Sequence, residues 1–131
     1  MKSLAPLALA LSLPLVAVAC NSVELADPAP IEYEQSVAPD QIADAIYRGL
    51  EIDRWNIVEE SPNHLIADRL YGGKHLIAVE IAYGDGTVQI EYYSSDNMDY
   101  DPIEETIHKN YNAWVEGLAR TIDRELYKLT R

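Results

Sequence analysis

The polar side chains best suited to recognition or catalysis are concentrated between residues 95 and 114. Amides and an imidazole both donate and accept hydrogen bonds, so such a patch suits recognition of a glycan, a peptide or a partner backbone. The same groups also suit an internal role, in which they satisfy buried backbone groups and tie a loop to the next helix. Both interpretations stay open. The predicted binding patch comprises Asn97, Tyr100, His108, Asn110 and Asn112.

The catalytic alternative centres on His108. A helix over residues 103–128 would place Glu104 four residues earlier on the same face, where a carboxylate can orient an imidazole or share a metal with it. Ser95 or Asp99 are the other polar groups considered as partners. The sequence specifies no third metal ligand, no G-x-S-x-G elbow and no phosphate-binding glycine loop. We therefore predict no catalytic residue, metal or cofactor, and keep a small hydrolase or metal-dependent enzyme centred on His108 as the alternative function.

The single cysteine, Cys20, follows a segment typical of an export signal. Lys2 gives a positive start and residues 4–18 are almost wholly apolar, a run too short and proline-broken for a comfortable membrane span. Small residues, Ala17 and Ala19, precede the cysteine, and this arrangement looks like a bacterial lipobox, with alanine at position 17 where leucine is usual. The resemblance implies acylation of Cys20, including palmitate-type chains, after removal of signal peptide 1–19. The alternative is ordinary cleavage that releases a soluble periplasmic protein.

Asn21, rather than aspartate, follows the cysteine, and in Gram-negative lipoproteins this implies export to the outer membrane, on its periplasmic side. The net charge is −12, and removal of residues 1–19 takes away only Lys2 and leaves −13. Nucleic acid is excluded as a partner because phosphate contacts need clustered Lys and Arg. The predicted partners are the membrane, through lipid on Cys20, and an envelope protein or cell-wall ligand.

Residues 20–38 are acidic and contain prolines, which predicts a solvated tether that reaches roughly 55–65 Å when extended. Residues 39–131 are predicted to form a single α+β domain. A helix over residues 39–52 has its apolar side chains at helical spacing. The members of this stripe are Ile42, Ala45, Ile46, Gly49 and Leu50.

Alternating, Ile-, Val- and Tyr-rich runs separated by Gly-containing turns predict four strands over residues 55–60, 64–71, 75–83 and 87–94. A second apolar stripe predicts the helix over residues 103–128, with Trp114 buried at a cost of about 3–5 kcal/mol on truncation to alanine. The predicted fold is a four-stranded antiparallel meander sheet with the N-terminal and C-terminal helices packed on one face, in the order α-β-β-β-β-α. The apolar stripe of the predicted helix over residues 103–128 comprises Ile107, Tyr111, Trp114, Leu118, Ile122 and Leu126.

Two segments resemble a group of small uncharacterised proteobacterial lipoproteins. Residues 92–100 read YYSSDNMDY and residues 107–115 read IHKNYNAWV. The group shares the patterns Y-x-x-S-x-N-L-x-Y and I-H-x-N-Y-N-x-W, and Met98 stands where its members usually have leucine. The resemblance extends over most of residues 38–125 and implies an envelope location and this fold, but no activity. We predict a non-catalytic binding or assembly module that uses the exposed sheet face or the patch within residues 95–112.

Overall fold

The computed structural model describes residues 21–130, so the predicted signal peptide and Cys20 lie outside the described residues. This part of the chain contains two α-helices and seven strands, followed by a 3-10 turn over Lys128–Thr130. Neither α-helix has the length and hydropathy needed to cross a membrane. The elements are β1 Ser22–Glu24, β2 Ile31–Glu32, α1 Pro39–Ile52, β3 Asn56–Ser61, β4 His64–Tyr71, β5 His75–Gly84, β6 Thr87–Asp96, β7 Thr106–His108 and α2 Tyr111–Tyr127.

The main sheet is antiparallel and has the strand order β2-β6-β5-β4-β3, while β1 and β7 form a separate two-stranded sheet. The predicted α+β class, with two helices and an antiparallel sheet, is confirmed. The prediction of only four strands is incomplete, because β2 adds a fifth strand beside β6 and the small sheet is extra. With two and three residues, β1, β2 and β7 are too short to show a diagnostic alternation.

The structure corrects the predicted conformation of the segment before α1. Residues 21–33 do not extend into solvent as a tether but lie along the domain, where β1 pairs with β7 and β2 pairs with β6. Ile31 is buried opposite Val88, and Pro28 is buried as well. The acidic residues and prolines of this segment suggest that it is solvated, but its backbone pairs with β7 and β6 and its few apolar side chains pack on the domain.

The second helix begins later than predicted. Residues 103–105 lie in a turn in which the Asp101 carboxylate accepts hydrogen bonds from the amides of Ile103 (2.9 Å) and Glu104 (3.2 Å). The chain then forms β7, and α2 starts only at Tyr111. Glu104 and His108 therefore do not share a helix face, and the proposed carboxylate–imidazole pair loses its geometric basis.

The hydrophobic core lies between one face of the main sheet and the two helices. The predicted stripe of α1 is buried throughout, and α2 contributes Tyr111, Val115, Leu118, Ile122 and Leu126. Trp114 is only half-buried at the edge of this core, and Val115 takes the central position instead. The sheet contributes Leu65, Ala67, Ile77, Val79, Ile81, Val88 and Ile90.

A buried carboxylate links the two helices. The side chain of Glu125 in α2 is 6% exposed and receives the ammonium of Lys128 at 2.5 Å and the guanidinium of Arg48, from α1, at 3.3 Å. The hydrogen bond from Lys128 and the nearby Arg48 hold the pKa of Glu125 below its usual value, against the opposing effect of burial. This ion pair joins α1 to α2 near the C-terminal end of α2.

Tyr111→Phe should stabilise the protein. Tyr111 is fully buried, and its hydroxyl is the one buried side-chain polar atom among residues 21–130 that lacks a hydrogen-bond partner; burial also raises its pKa. Because phenylalanine keeps the ring and removes the unsatisfied group, we expect the free energy of unfolding to rise by about 1 kcal/mol. Urea denaturation measures it, with Tyr93→Phe, at a 51% exposed ring, as the control; a loss of stability for Tyr111→Phe would contradict this description of the core.

Candidate functional site

His108 belongs to a stack of rings at the end of the domain where β4 ends and α2 begins. Tyr71 and Trp114 lie face to face, with centroids 4.0 Å apart and planes 3° apart. The ring of His108 lies 6.1 Å beyond Trp114, and that of His75 lies 4.9 Å from His108. On the other side, the Arg69 guanidinium sits 4.1 Å from the centre of the Tyr71 ring. Four elements thus meet in one aromatic and cationic cluster.

Hydrogen bonds fix both imidazoles of this cluster. Nδ1 of His108 accepts the Asn110 amide at 3.2 Å, whereas Nδ1 of His75 donates to the Asn97 carbonyl at 2.8 Å. In the neutral forms, these partners place the proton on Nε2 of His108 and on Nδ1 of His75. The Asn97 side chain also donates to the Lys74 carbonyl at 3.1 Å. These contacts fasten the β4–β5 turn to the loop after β6.

Asn112 acts as a clamp on the N-terminal segment. Its Oδ1 accepts the Ala26 amide at 3.0 Å, and its Nδ2 donates to the Glu24 carbonyl at 2.9 Å. One side-chain amide therefore satisfies both a donor and an acceptor of a segment 86 to 88 residues away in sequence. Tyr100, in contrast, stacks on Tyr92 with ring centroids 4.3 Å apart.

The five residues of the predicted patch are thus divided among several local structures. The side chains of Asn97 and Asn112 make internal hydrogen bonds, His108 lies in the ring stack, Asn110 precedes α2, and Tyr100 packs on Tyr92. This arrangement favours the internal role over the recognition role for the two asparagines. A direct binding role for the patch stays a prediction.

Asn112→Ala should release the N-terminal segment from the domain. The change leaves the Ala26 amide and the Glu24 carbonyl without their partner, so we expect a loss of about 1 kcal/mol in the free energy of unfolding. Amide exchange in β1 should accelerate at least tenfold, which hydrogen-exchange mass spectrometry detects. Asn56→Ala, at an exposed position of β3, is the control, and unchanged exchange in β1 would show that Asn112 does not hold the segment.

The face of the sheet away from the helices carries a row of glutamates. In the strand register, Glu59 lies opposite Ile66, Ile66 opposite Glu80, and Glu80 opposite Glu91. The glutamates of this row therefore lie on β3, β5 and β6, and the buried Ile66 of β4 lies between Glu59 and Glu80. We call this side of the sheet the open face, because no element described for residues 21–130 packs over it.

Charge on the open face is only partly compensated. Nε2 of His64 lies 2.8 Å from a carboxylate oxygen of Glu80, whereas neither Glu59 nor Glu91 forms an ion pair within residues 21–130. Like charges directly opposite each other on neighbouring strands are unfavourable. At surface dielectric values, two carboxylates about 5 Å apart repel by about 1–3 kcal/mol. A cation bound over this row would relieve that repulsion.

The open face ends at an unpaired strand edge. β3 is the last strand of the sheet, all six of its residues are exposed, and Ile57 and Val58 are 41% and 60% exposed. An open pocket of about 570 Å³ lies beside this edge, between β3 and α1, and is lined by Tyr47, Leu50, Trp55 and Ile57 among others. Unpaired backbone groups at such an edge are able to pair with an extended segment of another chain.

A second pocket, of about 450 Å³, lies at the opposite end of the sheet. Tyr33 and Tyr83 form part of its wall, together with Asn63 and Asp85. Nearby, the Tyr47 hydroxyl donates a hydrogen bond to Glu60, and this bond, with burial and the carboxylate charge, raises the pKa of Tyr47 to about 12. The Tyr47 phenol is therefore a neutral hydrogen-bonding group at physiological pH.

Sequence reasoning missed the glutamate row, although part of the signal was present. The alternation in β5 and β6 places Glu80 and Glu91 on the solvent side of their strands. The register counted from the two-residue turn between β5 and β6 is uninterrupted as far as this pair, and it places the two carboxylates directly opposite each other. The bulge between Ala78 and Val79 lies beyond the pair and does not alter it. The pairing could therefore have been predicted by counting back from the turn.

Among residues 21–130, no hydrogen bond joins the His108 side chain to Glu104, Ser95 or Asp99, the partners considered in the catalytic alternative. The hydroxyl of Ser95 contacts the Tyr92 hydroxyl at 2.8 Å, and Nδ1 of His108 is already used by a backbone amide. Among residues 21–130, no three His, Cys, Asp or Glu side chains come together in a way that could hold a metal ion. Glu104 is exposed in its turn.

No protein-family model, curated protein or solved structure matches this chain.

Proposed function

We propose that this chain is a lipid-anchored protein of the bacterial envelope that binds a basic protein partner on the open face and catalyses no reaction. The lipobox-like segment that ends at Cys20 supports the anchor. The resemblance of residues 92–100 and 107–115 to small proteobacterial lipoproteins supports an envelope location, and Asn21 after the cysteine supports the outer membrane, on its periplasmic side. The binding part of the proposal rests on the main sheet.

The observation that carries the proposal is the row of Glu59, Glu80 and Glu91 across the open face. The directly opposed pair, Glu80 and Glu91, lowers the stability of the free protein, so selection for folding alone would not favour it. A Lys or Arg side chain placed between them gains attraction from two carboxylates at once. The face therefore suits a partner of positive charge.

The edge of β3 indicates the shape of that partner. An extended segment that pairs with β3 places alternate side chains on the open face, at the end of the glutamate row. Its other side chains point toward Ile57 and the pocket between β3 and α1. A strand that alternates basic and apolar residues satisfies both surfaces.

A peptide of alternating lysine and valine tests this in solution. We expect the backbone NMR signals of β3 and of Glu80 and Glu91 to shift on titration, and the affinity to fall with added salt. A peptide of alternating glutamate and valine should leave these NMR signals unchanged.

Glu91→Lys should weaken binding of the lysine peptide at least fivefold, whereas Asp123→Lys, an equal charge change on the exposed side of α2, should not. Shifts spread over the helices, or equal effects of both variants, would contradict the proposal.

A further inference from the structure

The chain is fixed to the domain from the first described residue onward. The carbonyl of Asn21 accepts the Lys109 amide at 2.6 Å, and Ser22 pairs with His108. Asn112 then clamps the backbone of Glu24 and Ala26. Four of the first six described residues therefore have backbone partners between β7 and the start of α2.

Further hydrogen bonds hold the chain between Asn112 and β2. The Leu25 amide donates to the Glu105 carbonyl at 2.8 Å, and the Asp27 carboxylate accepts the Tyr92 amide at 2.9 Å. Partial burial raises the pKa of Asp27, so this carboxylate lies in a less polar setting than a free surface group. The segment 21–27 is thus an integral part of the domain, not a spacer in front of it.

These contacts leave almost no flexible chain between an anchor on Cys20 and the domain. A single residue spans at most ~3.3–3.6 Å, whereas a solvated tether over residues 20–38 would reach roughly 55–65 Å. Because Cys20 is bonded directly to Asn21, acyl chains on its sulfur would be attached one residue before the backbone contact of Asn21 with Lys109. The domain then has little freedom to stand away from the bilayer.

The end of the domain beside Asn21 has the composition of a membrane-interface surface. We define the anchor end as Asn21 with residues 71–75 and 108–114. It carries Tyr71, His75, His108 and the half-buried Trp114 in one stack. Lys74 and Lys109 flank the stack and are exposed. Amphipathic rings favour the headgroup region of a bilayer, and lysines there reach lipid phosphates.

We propose that the anchor end rests directly on the lipid headgroups, so that the domain is held in one orientation. This inference rests on the lipid anchor of the proposed function. β4 ends and β5 begins at the anchor end, so the strands run away from the bilayer. The open face is then presented sideways along the membrane, and the pocket of Tyr33 and Tyr83 lies at the far end.

The sole cysteine allows a test that does not depend on lipidation in the cell. The chain from Cys20 onward is coupled through that thiol to maleimide lipid in vesicles of phosphatidylcholine and phosphatidylglycerol. Hydrogen-exchange mass spectrometry compares coupled and uncoupled protein. We expect amide exchange in residues 71–75 and 108–110 to slow at least fivefold on coupling, while residues 84–86, at the far end, stay unchanged.

An insertion variant distinguishes a domain held against the membrane from a domain attached through a flexible linker. Ten Gly and Ser residues between Cys20 and Asn21 leave the clamp intact but restore the slack, so the protection at the anchor end should disappear. Equal exchange in coupled and uncoupled protein, or equal protection with and without the insertion, would overturn the inference.

The mass of the N-terminal peptide from envelope fractions tests the anchor independently. An unmodified Cys20 would refute the anchor of the proposed function, whereas the vesicle experiment alone decides whether a lipid at that position orients the domain. Failure of one is therefore distinguishable from failure of the other.

Discussion

Gly49→Ala should lower the free energy of unfolding by about 2 kcal/mol, although alanine is the better helix former. A Cβ at Gly49 would lie 2.7 Å from Cγ1 of Ile122 and 3.1 Å from its Cα. The second contact involves backbone, so a change of rotamer does not relieve it and the two helices must separate. Overpacking of this kind costs up to about 3 kcal/mol and outweighs a helix-propensity gain of about 1 kcal/mol.

Gly117 provides the matched control on the other helix. The nearest atom to its added Cβ is the end of the flexible Arg120 side chain, at 3.9 Å. Gly117→Ala should therefore raise the free energy of unfolding by about 1 kcal/mol. Chemical denaturation of both variants should give changes of opposite sign. Stabilisation by Gly49→Ala would show that α1 and α2 do not approach each other at this point.

Trp114→Ala should cost about 2–3 kcal/mol, the second of the two largest effects. Truncation of a fully buried tryptophan costs about 3–5 kcal/mol, but Trp114 is half-buried. Its ring is stacked at 4.0 Å on Tyr71 and lies 6.0 Å from His75, so part of the loss comes from these contacts. Urea denaturation measures the change.

A double-mutant cycle isolates the stack. Combining Trp114→Ala with Tyr71→Ala should reveal a coupling energy of about 0.5–1.5 kcal/mol, the usual value for an aromatic pair. Tyr93→Ala, at an exposed ring, should change stability by less than about 0.5 kcal/mol. Additive effects of the two stack variants would mean that the rings are not in contact in solution.

Local periodicity predicted those elements whose stability depends on a long apolar face. Helix α1 has its stripe from Ile42 to Leu50, and the predicted bounds, 39–52, match the structure. Strands β3 to β6 were placed to within two residues, because Gly- and Pro-containing turns separate four alternating runs. These signals lie within about ten residues of one another, where sequence reasoning is strongest.

Long-range pairing decides the parts that the sequence did not predict. Ile107 and Tyr111 have helical spacing, but residues 106–108 pair with β1 more than 80 residues earlier, so α2 begins only at Tyr111. The N-terminal segment is acidic and looks solvated, but Asn112 and Tyr92 hold it. Neither partner is visible in the composition of residues 20–38.

The candidate site was predictable only in part. The cluster of Asn and His residues indicated that residues 95–112 need many hydrogen bonds, and the structure shows where those of Asn97 and Asn112 are made. The pairing of Glu80 with Glu91 follows from the two-residue turn between β5 and β6 and is local in sequence. The alignment of Glu59 with this pair depends on how β3, β4 and β5 pair with one another, and the unpaired edge of β3 follows from the strand order; neither is local in sequence.

The central claim is that the open face of an anchored domain binds a basic partner, and photo-crosslinking in intact cells tests it most directly. A photoreactive residue at Gln89, exposed beside the glutamate row, is compared with one at Asp123 on α2. We expect one discrete partner band from position 89, none from position 123, and loss of the band when Glu91→Lys is added. A band from position 123 alone, or a band from position 89 that survives Glu91→Lys unchanged, would contradict the account.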